Sequence, residues 1–249
     1  MLKMCTDALL HESRQHAVRR ALVGSGFIAV QLENGNVGLC ANIADTYMNG
    51  CEVFPEAGTI AGSRADMLLE MARRDDFISR ALALATLNAL IGSPDQSLSG
   101  DVFDIIEARQ GDRVTMVGLI EPVAEMLYKK GCEVSVFENR TLPNKLIKPF
   151  EMMSEHIRDA HIVILSGTTL INDTIDDIMA MKSSAREVIL MGPSTPMMPH
   201  IFAQTPITRL AGANIIDGEK AFTLVMEGGG TRALHRSGAM EKVVLEVGR

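Results

Sequence analysis

The rhythm of apolar positions changes near residue 100. Before it, the periods are mixed. Residues 3–23 repeat at helical spacing, whereas "FIAVQLENGNVGLCANI" (27–43) alternates around Glu33-Asn34-Gly35-Asn36, the pattern of a β-hairpin. The turn-rich "CEVFPEAGTIAGS" follows, and then two helical stretches. The second, "DDFISRALALATLNALIG", is apolar nearly all round from Ala81 to Ile91, so it is expected to be buried on most sides. Asn88 interrupts it. A buried amide needs partners at both ends, either from local backbone or from a cleft that the helix faces.

"SPDQSLSGD" (93–101) clusters Pro, Gly and Ser between helical stretches and marks the expected boundary. Beyond it, β-rich apolar runs recur at 113–120, 133–138, 161–167, 187–192 and 207–216. Most are apolar on both faces, as strands covered by helices on either side should be. Helical segments are expected from near Pro122, Lys148, Thr169 and Pro196. The alternation predicts a Rossmann-like, mainly parallel, three-layer α/β/α domain over residues 101–249, after a small α+β domain over residues 1–100.

In open parallel sheets, ligands bind outside the carboxyl ends of strands, where the winding switches direction. Those ends read "GLIEP", "FENR", "SGTT" and "GPSTP". Small polar residues gather on the first, third and fourth, which favours the strand order 2-1-3-4-5. Each corner opens a helix, and helix N-termini offer free N–H groups to an anion or carboxylate. Thr169 and Thr195 suit N-caps, and Pro122 and Pro196 suit first helical positions; capping alone accounts for such residues equally well. Glu121 is more specific. A carboxylate ending an apolar strand can coordinate a cation, bind an amine or act as an acid or base, or simply complement a helix dipole. Glu138 ends the second strand, where nucleotide-binding folds place a ribose-binding acid.

Several classes are disfavoured. The first strand's turn, Gly118 to Pro122, is not G-x-G-x-x-G, and neither G-x-x-x-x-G-K-S/T nor G-x-S-x-G occurs. The triple glycine Gly228-Gly229-Gly230 reads as a turn between two C-terminal helices. A net charge of −7 opposes a broad basic surface for nucleic acid, and 4% aromatic residues leave little for base stacking. No uncharged run is long enough to span a membrane, and the start lacks a basic head followed by an apolar stretch, so the expected location is cytoplasmic. Cys5, Cys40, Cys51 and Cys132 are scattered without C-x-x-C, and the histidines form no H-x-x-x-H pair. Buried thiols are therefore expected rather than a disulfide framework or a structural zinc site.

Taken together, "VGLIEP", "LSGTTLINDTID", "GPSTPMMPHIF" and "RALALATLNAL" resemble the putative heavy-metal chelation family, a domain of unknown function. The resemblance covers nearly the whole chain. It implies an enolase-N-like domain followed by a Rossmann-like one, with a site in the cleft between them. Asn88 would there meet Gly118, Glu121, Thr168, Thr169, Asn172, Gly192, Ser194 and Thr195. Enolase chemistry does not transfer, because it belongs to a barrel that this chain lacks. The cofactor is unknown; the family name points to a metal ion or metal chelate, with Glu121 as the candidate metal ligand. No cluster of His and Cys offers a soft metal a full ligand set, so an organic chelator would supply most donors. The expected function is binding or processing of a small polar metabolite, such as a heavy-metal chelate, with catalysis and oligomeric state left open. The alternative is a transferase or lyase using a nucleotide-like cofactor such as S-adenosylmethionine, with Glu138 on its ribose.

Overall fold

The computed structural model describes residues 1–44, 54–93, 98–99 and 105–248. Most of "SPDQSLSGD" therefore lies outside the described residues. The chain packs as two compact units. One comprises Met1–Asp95, Pro196–Met198 and Ala213–Glu241; the other comprises Gln96–Thr195, Pro199–Gly212 and Lys242–Arg249.

In the first unit, helix α1 (Leu2–Ser13) precedes an antiparallel sheet of β1 (Val18–Val23), β2 (Phe27–Leu32) and β3 (Val37–Ala41). The helical period expected over 3–23 stops at Ser13. Val18 to Val23 instead pairs with β2, from Val18 opposite Leu32 to Val23 opposite Ile28. Ladder bonds to a fully buried neighbour outweigh a weak local period. The hairpin turn falls at Glu33 to Asn36 as expected, with Leu32 N donating to Asn36 O.

Every residue of β2 is buried, so both faces of this sheet are covered. One face meets α3 (Phe77–Ile91), which follows α2 (Ala65–Glu70) and is N-capped by Asp76 accepting from Ser79 N at 2.7 Å. Contact is close enough that a methyl added at Gly38 would lie 2.0 Å from Ala85 O. The other face comprises Phe27, Ala29, Val37 and Leu39. It packs on Ala221, Phe222, Val225 and Leu234 from two helices near the C-terminus, Gly218–Met226 and Thr231–Arg236. Gly228 to Gly230 form the turn between those helices, as expected.

The larger sheet contains β4 (Leu98–Ser99), β5 (Arg113–Val117), β6 (Glu133–Phe137), β7 (Ile162–Ser166), β8 (Glu187–Met191), β9 (Arg209–Ile215) and β10 (Met240–Glu246). Its order is β4-β10-β9-β8-β7-β5-β6. Strands β5 to β9 run parallel, and their order within the sheet is 2-1-3-4-5. β10 is antiparallel to β4. It also runs against β9, as Ile216 N donating to Ala239 O and Val247 N donating to Thr208 O show.

Crossover helices are α4 (Glu121–Lys129), α5 (Met153–Asp159), α6 (Ile175–Ala180) and α7 (Pro199–Phe202); the two C-terminal helices are α8 and α9. On one face, Val114, Met116, Val134, Val136, Ile162 and Ile164 pack on Val123, Ala124 and Leu127 of α4. This amphipathic helix buries its apolar stripe against strands apolar on both faces. The fold is mixed α/β, a small antiparallel sheet plus a mostly parallel one flanked by helices.

Candidate functional site

Three strand ends meet in the second unit because the order 2-1-3-4-5 sets β5, β7 and β8 side by side. Gly118, just past β5, adopts φ +83°, a left-handed conformation natural to glycine. A methyl there would lie 2.6 Å from Ser166 Cβ and 3.8 Å from Thr168 Oγ1. Gly167 does the same between β7 and β8: a methyl would sit 2.9 Å from Thr195 N and 3.0 Å from Ser194 Cβ. These two glycines let the three corners touch. The result is a floor of backbone and small hydroxyls.

Ser166 is the hub, and it lay outside the sequence-derived site. Its side chain caps the 3-10 turn Gly167–Leu170, accepting from Thr168 N at 3.3 Å and from Thr168 Oγ1 at 2.8 Å. The signal was present, since a serine that ends a strand before a helical turn is a preferred cap. Thr169 does not cap. It is buried, and its Oγ1 donates to Ser166 O at 2.7 Å. Half-buried Asn172 accepts from Thr174 Oγ1 at 2.8 Å. Its neighbour Asp173 sits at φ +63°, which short polar side chains tolerate.

At the β8 corner, Gly192 O accepts from Thr195 N at 2.9 Å, closing a turn through Ser194. Both Ser194 and Thr195 are 2% exposed. Thr195 Oγ1 is buried with no hydrogen-bond partner among the described residues. The helix expected from Pro196 with Thr195 as its cap begins instead at Pro199. Met197 and Met198 are buried in irregular chain, and their burial outweighs the earlier proline's preference for a helix start.

Glu121 occupies the first turn of α4, followed by Pro122. It is exposed, three residues past Gly118, and no hydrogen bond or ion pair engages its carboxylate among the described residues. Glu138 is occupied. Its Oε2 accepts from Leu119 N at 2.9 Å and from Arg140 Nη2 at 3.0 Å, while Oε1 accepts from Arg140 N and Nε. Burial pushes its carboxyl up, but Arg140 and the two backbone donors outweigh it and hold the group below its ordinary value. Glu138 therefore ties the β5 corner to the β6 corner. Asn88, in the first unit, is half-buried, and its Nδ2 donates to Leu39 O of β3 at 2.9 Å. Its amide thus has a partner outside its own helix.

The donor chemistry is oxygen-rich and mostly neutral. Among the described residues, no group of three or more His, Cys, Asp or Glu is placed to hold a metal ion. Cys5, Cys40 and Cys132 are buried, and burial raises the Cys132 thiol above its ordinary value; Cys51 lies outside the described residues. A soft heavy metal prefers thiolates, so this set does not suit one bound by protein donors alone.

A family model described as putative heavy-metal chelation matches residues 101–244, and a second of the same description matches residues 6–91. The chain belongs to the putative heavy-metal chelation family. An uncharacterized protein of Methanocaldococcus jannaschii is 31% identical over 186 residues, covering 72% of this chain and 70% of the relative. A family member of unknown function from Pyrococcus horikoshii has a similar fold, with a TM-score of 0.84 at 20% identity over 99% of each chain. Another, from Desulfitobacterium hafniense, gives 0.81 at 19% identity over 97% of each. Among the described residues, no helix is long and apolar enough to cross a membrane.

Proposed function

We propose that this member of the family is a cytoplasmic protein that binds a small polar metabolite able to chelate a metal, held at the joined ends of β5, β7 and β8. One observation carries the reading. Gly118 and Gly167 bring three corners into contact around small hydroxyls, and Glu121, the adjacent carboxylate, has no partner there. Helix-start N–H groups and hydroxyls suit a ligand's carboxylate or carbonyl, and Glu121 suits its ammonium or its metal. Thr195 Oγ1, buried and unpaired, is a further polar atom for a ligand to engage after a small local shift. With so few charged donors, the ligand itself would bring most of the metal's coordination.

The nucleotide-cofactor reading gains nothing from this geometry. Glu138 would have to release four hydrogen bonds before a ribose could use it. Native mass spectrometry with elemental analysis of gently purified protein tests the proposal. A stoichiometric small polar molecule, with or without metal, supports it. Metal retained stoichiometrically through dialysis with no organic partner would overturn it.

A further inference from the structure

A cavity lies at the amino-terminal ends of β8 and β9, wholly within the second unit. Its volume is about 290 Å³, and Glu107, Arg186, Glu187, Thr208, Arg209 and Glu246 line it, with Val247. Glu187 opens β8, Arg209 opens β9, and Glu246 closes the antiparallel β10. The cavity is thus built by strand ends and not by one loop.

Its charges do not balance. Arg186 is committed elsewhere, bonding both oxygens of Asp112 at 2.6 and 3.1 Å and donating to Glu107 O at 2.9 Å. Arg209 alone then answers Glu187 and Glu246, and the Glu107 carboxylate feels Arg186 only through its field. Arg209 pairs with Glu187 Oε1, donates to Ile105 O at 2.8 Å, and lies 3.8 Å from Glu246. The Glu187 side chain is 8% exposed, and its Oε2 is buried with no hydrogen-bond partner among the described residues. A carboxylate oxygen so placed is costly unless something donates to it.

We infer that this cavity is a binding site for a small organic amine, a diamine by preference, whose ammonium donates to Glu187 Oε2. Surplus negative charge calls for a cation. The absence of three grouped metal-ligating side chains among the described residues favours an ammonium over a metal ion. A second ammonium meets Glu246, whose side chain is 76% exposed. Because Oε2 is buried, the ligand reaches it only as Arg209 gives way from Glu187. The volume is at the small end of ligand cavities, which suits a short alkyl chain.

Calorimetric titration of the full chain with putrescine, its uncharged diol analogue and succinate tests the inference. The expected result is saturable diamine binding at one site per chain, with neither the diol nor succinate bound. Glu187→Gln should weaken it about tenfold or more, the loss of one charge-assisted hydrogen bond. Glu246→Gln, at an exposed position, should weaken it about threefold at unchanged Tm. That second variant decides the matter if Glu187→Gln fails to fold. Diamine binding unaffected by Glu246→Gln in a folded protein, equal binding of the diol, or magnesium binding where the diamine does not would each overturn the proposal.

Discussion

Glu121 and Asp112 are both acids at the ends of β5, yet their surroundings give them opposite duties. Glu121 is exposed and makes no ion pair or hydrogen bond among the described residues, so its charge does little for the fold beyond a small contribution at a helix start. Glu121→Gln should change stability by less than about 0.5 kcal/mol. At the proposed site the same change should weaken ligand binding by about tenfold, or ~1.4 kcal/mol; equal affinities in paired titrations would make Glu121 only a helix-start acid. Asp112 is the converse. The Arg186 guanidinium, opposed by burial and helped by Arg109 N–H, holds its carboxyl at about 2. A depressed carboxylate adds stability above its unfolded value and loses it as pH falls through the folded one. The loss should therefore fall between about pH 4 and pH 2. The partner Arg186 side chain is 39% exposed, so solvent screening limits it to on the order of 1 kcal/mol. Asp112→Asn should remove that limb from an acid-unfolding curve. An unchanged curve would assign acid sensitivity to other carboxylates.

Among the elements, the contact of β3 with α3 is the sharpest constraint. A methyl at Gly38 would meet Ala85 O at 2.0 Å and Ala89 N at 2.2 Å. Both are backbone atoms that cannot turn aside. Gly38→Ala should cost about 3 kcal/mol or more by overpacking, read from urea unfolding; a cost below about 1 kcal/mol would mean that helix and sheet separate freely. This contact was only half legible in sequence. The all-round apolar stretch from Ala81 to Ile91 announced a buried helix, but not which strand would press on it. The parallel strands were legible because both of their faces are buried, leaving continuous apolar runs. The 2-1-3-4-5 order was legible from the small polar ends of β5, β7 and β8. What sequence could not give was the pairing within the first unit and the contacts among corners. Val18 to Val23 carried a helical period, and only its ladder with β2 made it a strand. Ser166, Gly167 and Gly118 likewise form one feature only after three corners meet.

At the scale of the whole molecule, the C-terminal segment Ala213–Glu241 packs in the same compact unit as the N-terminal residues. A sequence boundary at residue 100 therefore does not by itself mark a stable fragment. Phe222 lies 4% exposed against β2 and β3, and the Arg20 guanidinium stacks 4.1 Å from its ring centroid. Glu219 on the same helix pairs with Arg19 and Arg20 and accepts from Gln31 Nε2 at 3.0 Å. Each large apolar side chain buried there stabilises by about 1.5–3 kcal/mol, against a typical net domain stability of about 5–15 kcal/mol. Residues 1–100 expressed alone would leave Phe27, Ala29, Val37 and Leu39 bare on one sheet face. The expected outcome is a fragment without a cooperative unfolding transition, restored when residues 213–241 are fused to it through a short flexible linker. In the intact chain, Phe222→Ala should cost about 3 kcal/mol. A fragment of residues 1–100 that melts sharply by calorimetry, with no gain from the fused segment, would show instead that α3 alone supports the sheet and that the first domain ends energetically where its sequence pattern ends.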